Sequence, residues 1–196
     1  MNIQHQLQDF VAFFSGNKTS IESEDFAKFG LKAELKHYKA GQLIISQGQL
    51  APNIYFLKKG YVRFFSVSED GKEFTQSFAN SPGIAGSTRA MSRQTKSLFS
   101  IEALEDVLCY ELNWQPMFET MKDKPGFLMA YNSLLETLFI KKEEREYAFV
   151  QQTAEQRYLN FLAENCELRD MLPLKMIASH IGITPIALSR IRKKLK

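Results

Sequence analysis

Residues 171–196 read MLPLKMIASHIGITPIALSRIRKKLK, with six Lys or Arg and no Asp or Glu. Leu174, Ile177, Ala178 and Ile181 recur at helical spacing, Gly182 interrupts them, and Thr184 opens a second helix with Leu188, Ile191 and Leu195 on its buried stripe. Two short helices joined by a glycine-containing turn form a helix-turn-helix. Ala178 is small where two helix axes approach, Gly182 accepts the positive φ of a sharp turn, and Thr184 can cap the second helix. Pro185 then falls at the first helical position, where its missing N–H costs nothing. The opposite face carries Pro185, Ile186, Ser189, Arg190, Lys193 and Lys194, a surface suited to a groove lined by phosphates.

The competing reading is an ordinary basic surface helix, and the charge balance argues against it. The chain has 25 basic and 22 acidic residues. Without the six C-terminal positives, residues 1–170 hold 19 against 22, a net −3. Positive charge concentrated at one end is the electrostatic footprint expected of a nucleic-acid partner.

A chain of 196 residues with 44% apolar and 24% charged residues forms one large or two small domains around a real core. It has no run of about 18 apolar residues and no basic-apolar leader, so a cytoplasmic protein without a membrane segment is expected. Cys109 and Cys166 are far apart and form no CxxC or Cys/His cluster, which reads as two reduced core thiols and no iron–sulfur site.

Ahead of the helix-turn-helix, Ile3, Leu7, Phe10, Val11 and Phe14 predict an amphipathic helix, and a second short helix is expected after Ser23. From Tyr38 the texture changes to short β-rich runs at 42–46, 54–57, 61–67, 73–78, 98–103 and 107–112, punctuated by glycines. Such spacing predicts a sandwich or jelly roll. Asp70-Gly71 marks a hairpin and Pro82-Gly83 another turn, with 84–96 read as a polar loop. A short helix follows Trp114, and Pro125 starts a longer one. There Leu128, Tyr131, Leu135, Leu138, Lys142, Arg145 and Phe149 alternate by three and four, a seam for a partner helix. It fits either the β domain or the same helix of a second copy. Thr153-x-x-Gln156 has capping-box form and starts a further helix.

The whole chain resembles the Crp/Fnr family of bacterial transcription regulators. The residues that carry the likeness are Gly41-x-Leu43, Gln47-Gly48, Tyr55-x-Leu57-x-x-Gly60-x-Val62, Asp70-Gly71-Lys72-Glu73 and Pro82-Gly83. In the C-terminal part they are Ile177-Ala178, Ile181-Gly182-Ile183-Thr184-Pro185 and Leu188-Ser189-Arg190-Ile191. The resemblance implies an α+β chain of three parts: a cyclic-nucleotide-binding-like β-roll (jelly roll) over 1–124, a dimerisation helix over 125–152, and an all-α helix-turn-helix domain over 153–196.

Two departures qualify it. Family members that bind cyclic AMP carry a Gly-Glu after the Pro-Gly turn and an Arg-Ser/Thr pair for the phosphate. This chain has Gly86-Ser87, followed by Thr88, and Lys96-Ser97. Serine lacks the carboxylate acceptor, and lysine is a point charge where arginine is a fork. Weakening two such bonds, each worth about 1.5–3 kcal/mol, lowers affinity roughly ten- to ten-thousand-fold, so cyclic AMP is not the expected effector. The pocket at Gly86, Ser87, Thr88, Lys96 and Ser97 is left with an unknown effector. The family's β-hairpin wing has no counterpart before Lys196, so its phosphate contacts are expected to be absent or supplied by Arg192, Lys193, Lys194 and Lys196.

The expected function is a homodimeric, sequence-specific regulator on a palindromic double-stranded operator, with RNA polymerase as a further partner. Arg190 is the candidate base reader, flanked by Ser189, Pro185 and Ile186, while Lys175, Thr184, Arg192, Lys193 and Lys194 contact phosphates. No metal or cofactor and no enzymatic activity are expected. The alternatives are a ligand-binding or protein-interaction module without functional DNA recognition, and a cupin-like enzyme. The latter lacks histidine ligands in the β region after His37.

Overall fold

An unbroken apolar run such as Ile54, Tyr55, Phe56 and Leu57 requires a strand buried on both faces. The computed structural model describes residues 33–195. Eight strands are defined there: β1 (Glu34–Tyr38), β2 (Leu43–Ile45), β3 (Asn53–Lys59), β4 (Tyr61–Val67), β5 (Glu73–Asn80), β6 (Gly83–Gly86), β7 (Ser100–Ala103) and β8 (Val107–Asn113). They form two four-stranded sheets, ordered β1-β8-β3-β6 and β2-β7-β4-β5. The helices are α1 (Thr88–Arg93), α2 (Trp114–Met121), α3 (Pro125–Gln151), α4 (Ala154–Glu164), α5 (Leu168–Met171), α6 (Leu174–Ile181) and α7 (Pro185–Lys194).

Alternation along β3 serves two cores. Tyr55 and Leu57 pack inside the roll with Val62, Ala85, Ile101, Val107 and Cys109. Ile54 and Phe56 face the other way, against Tyr110, Leu112, Trp114, Met117, Met121 and Phe127. Complete burial of a side chain such as Phe56 contributes roughly 1.5–3 kcal/mol relative to exposure.

Six strands fall where the alternating runs predict them. Two more come from segments read differently. β1 is an edge strand whose Lys36 stands opposite Cys109, and its polar sequence, with a Lys36–Glu34 ion pair at 2.7 Å, hid it. The 84–96 segment is not a loop throughout: Ile84 and Ala85 pair with Phe56 and Tyr55 in β6, and Ser87 then caps α1. The helices predicted through Ile3–Phe14 and after Ser23 lie outside the described residues. Cys109 is buried as expected, whereas Cys166 is exposed in the turn after α4, a correction to its reading as a core thiol. Burial, and then the charge of Glu111, pushes the Cys109 thiol up to about 12.

Contacts group the described residues into two units, the first comprising 33–66 and 78–135, the second 67–77 and 136–195. The first holds the roll, α1, α2 and the start of α3. The second holds the tip of the β4–β5 hairpin, the rest of α3, and α4–α7.

Candidate nucleic-acid interface

The helix-turn-helix forms for the reasons its residues give. Gly182 adopts φ 75° and ψ 36°, so that its N–H and that of Ile183 fold back on Ser179 O and Ala178 O at 3.3 and 2.9 Å. Thr184 caps α7 by accepting from Ala187 N at 3.2 Å, and Pro185 occupies the first turn. Beneath them Ile177, Ala178, Ile181 and Leu188 are buried with Tyr158, Phe161, Leu168 and Leu172. The predicted stripe ends there. Ile191 is only half-buried and Leu195 is exposed.

Lys175, Thr184, Pro185, Ile186, Ser189, Arg190, Arg192, Lys193 and Lys194 are all exposed. Ile186, at 68% exposure, is apolar surface with no core role. Lys194 is tied to Glu155 at 2.7 Å. Among the described residues no carboxylate pairs with Arg190, Arg192, Lys193 or Lys175, so the exposed edge keeps its positive charge.

Behind this surface are contacts that sequence reading missed. Ser179 Oγ donates to Glu73 O at 3.0 Å and accepts from Thr75 N at 2.8 Å, joining the hairpin tip to α6. Arg145 Nη2 donates to Thr75 O and His180 O at 3.3 and 3.1 Å, and its Nη1 lies 3.3 Å from His180 Nδ1. Arg157 Nε donates to Ile181 O at 2.9 Å, and its Nη1 to Gln152 O at 2.7 Å and Ala148 O at 3.5 Å. Both guanidiniums stack on Phe149, 4.7 and 4.9 Å from its ring centre. Burial and the neighbouring charge of Arg157 lower the Arg145 pKa. Burial, then Arg145, brings His180 down to about 3.

The predicted seam on α3 is divided between contacts within the chain and open surface. Tyr131 packs against Trp114, Phe118 and Phe127 at ring separations of 5.1, 5.9 and 6.1 Å. Arg145 is half-buried in the second unit, while Phe149 stays 42% exposed although the Arg145 and Arg157 guanidiniums stack on its ring. Tyr131 and Arg145 are thus the two of the seven predicted positions whose side chains are partly covered by the chain's own aromatic and polar groups. Leu128, Leu138 and Lys142 are exposed and Leu135 is half-buried. The apolar surface left uncovered also includes Phe139, Tyr147 and Val150, at 62, 62 and 72% exposure.

The predicted effector residues are used by the backbone. Gly86 ends β6, and Thr88 is exposed in the first turn of α1. Buried Ser87 accepts from Ala90 N at 3.4 Å, and buried Ser97 donates its hydroxyl to Phe99 O at 2.7 Å. Lys96 is exposed, with its carbonyl accepting from Arg89 Nη1 at 2.9 Å. Among the described residues no group of three or more His, Cys, Asp and Glu is placed to hold a metal ion, and no helix is long and apolar enough to cross a membrane.

Residues 35–124 match the cyclic nucleotide-binding domain family. No curated protein matches the sequence. Solved structures with a similar fold include FixK2 from Bradyrhizobium japonicum, at TM-score 0.72 and 17% identity over 84% of this chain and 85% of that one. Another is CLP, a c-di-GMP-responsive global regulator from Xanthomonas campestris, at 0.71 and 14% over 88% and 89%. A third is TTHA1359, a CRP/FNR-family transcriptional regulator from Thermus thermophilus, at 0.66 and 21% over 83% and 85%. Residues 35–124 thus resemble a cyclic nucleotide-binding domain, within a chain whose fold is similar to those of FixK2, CLP and TTHA1359.

Proposed function

We propose that this protein is a homodimeric, sequence-specific DNA-binding transcription regulator. The observation that carries the proposal is the exposed, acid-free face of α7, with Arg190 unpaired and presented by a capped helix-turn-helix. A guanidinium in this position can donate bidentately to guanine O6 and N7, while Lys175, Thr184, Arg192 and Lys193 position the protein on phosphates. Lys194 joins them only by releasing Glu155. The uncovered apolar surface of α3 supports pairing with the same helix of a second copy, and two copies place recognition helices in grooves about 34 Å apart. RNA polymerase belongs to this reading as the partner a regulator acts on.

Any effector, in this reading, is a small molecule other than cyclic AMP, because Ser87 stands in place of a carboxylate acceptor and Lys96 in place of a guanidinium fork. The deciding experiment is selection from a randomised DNA pool, with affinity then followed from about 50 to 200 mM salt. Enrichment of an inverted repeat with half-sites about 10 base pairs apart supports the proposal. Weak, unselective binding with a shallow salt dependence refutes it.

A further inference from the structure

We infer that Arg145, Phe149 and Arg157 are positioning residues for DNA recognition, holding the turn of the helix-turn-helix against the end of α3. Every helix leaves unpaired carbonyls at its C-terminus. In α6, Ala178 O and Ser179 O are satisfied by the N–H groups of Gly182 and Ile183. His180 O and Ile181 O accept instead from Arg145, on α3, and Arg157, on α4. Each arginine thus brings a positive charge to the negative end of α6.

Arg157 also reaches Gln152 O and Ala148 O, so one guanidinium closes the ends of α3 and α6 together. Two like charges brought this close repel each other, and no carboxylate among the described residues pairs with either. Both share Phe149, whose ring takes one guanidinium at 4.7 Å and the other at 4.9 Å. The same ring fills the space where Gly182 lacks a side chain: a Cβ there would run into Phe149 Cε1. Glycine at the turn, the aromatic ring and the two forks therefore form one fitted unit. None of the three touches the exposed face of α7. They act by fixing where that face stands relative to the C-terminal half of α3, the half that carries Tyr147 and Val150 on its uncovered surface.

This inference rests on the proposed dimeric DNA-binding function, and its test separates the two. The full-length protein is assayed on its selected operator and on versions with one base pair inserted or deleted between half-sites. Three variants are compared with wild type: Phe149→Tyr keeps the aromatic face, Phe149→Leu keeps apolar bulk without it, and Arg145→Lys keeps charge without the fork. Phe149→Tyr should retain the preference for the parent spacing. Phe149→Leu and Arg145→Lys should lose about tenfold of that preference with the salt slope unchanged, since no phosphate contact is removed. Arg145→Lys carries the test where Phe149→Leu fails to fold, as judged by circular dichroism. Folded variants that keep full spacing discrimination overturn the positioning role while leaving the DNA-binding reading intact. A wild-type protein that selects no palindrome overturns both.

Discussion

Lowering the pH from 7.5 to 5.5 should destabilise the second unit through His180, and replacing that residue should remove the effect. In the folded chain burial and Arg145 hold His180 at about 3, against bonds from the Thr75 and Gln76 backbone that pull the other way. In the unfolded chain it returns to about 6.5. Between these values the unfolded state binds the extra proton, so stability is fully present above the unfolded pKa and is lost as pH falls below it. At pH 7.5 neither state is protonated. At pH 5.5 the unfolded imidazole is about nine-tenths protonated and the folded one neutral, which integrates to about 1.4 kcal/mol. His180→Asn keeps an acceptor for Arg145 but does not titrate. Urea unfolding of both proteins, followed by far-ultraviolet circular dichroism, measures the difference. Fluorescence of Trp114, the only tryptophan and buried in the first unit, provides the comparison within the same sample. Parallel pH dependence of wild type and variant would refute the reasoning, because His180 would then titrate alike in both states.

Four further outcomes are expected. Gly182→Ala combines strain at φ 75° with displacement of Phe149, a loss of about 2–4 kcal/mol measurable by denaturant unfolding. Arg190→Ala should cost about 1–3 kcal/mol on the selected operator and relax preference at one base. Lys175→Ala, by contrast, should weaken all sequences alike and reduce the salt slope by about one, and titrations at several salt concentrations separate the two patterns. Phe139→Glu places a charge on the uncovered surface of α3 and should shift the protein to monomer in sedimentation, whereas the same change at inward-facing Tyr131 should damage folding of the roll.

The helix-turn-helix was legible because its signals are local. Gly182, Thr184 and Pro185 each act on the backbone within a few residues, and the buried stripe of α6 follows from spacing alone. The strongly apolar strands were legible for the same reason. β1 and β6 were not: Glu34, Lys36 and His37 read as surface, and a strand of two glycines around Ile84 and Ala85 has too few side chains to show alternation. Their pairing with β8 and β3 is a long-range fact. The seam on α3 was legible as a pattern but not as a set of partners. Periodicity identifies positions that share a face, but Tyr131 and Phe149 share one because each meets an intramolecular neighbour, and the sequence names no neighbour. Arg157 and Ser179 carried no signal, since their partners are backbone carbonyls and N–H groups that any residue supplies.

The recognition surface itself leads to a sharper expectation about specificity. Across the exposed positions of α7 there is no Asn, Gln, Asp or Glu, so the bidentate amide contact to adenine and the carboxylate contact to cytosine are both missing. Pro185 has no N–H to offer a phosphate, and Ser189 is a short, single hydroxyl. Arg190 is left as the one side chain with a two-point hydrogen-bonding fork that is free of an ion pair and set in the middle of the helix. Ile186, one turn earlier on the same face, can discriminate only by contact with a thymine methyl. On the proposed function, direct reading is expected to concentrate on a guanine and a neighbouring thymine in each half-site, with the rest of the operator recognised through its spacing and shape. That places unusual weight on how rigidly the two copies of α7 are held. It is the reason a ring that contacts two arginines and the Gly182 turn is expected to matter to sequence selection.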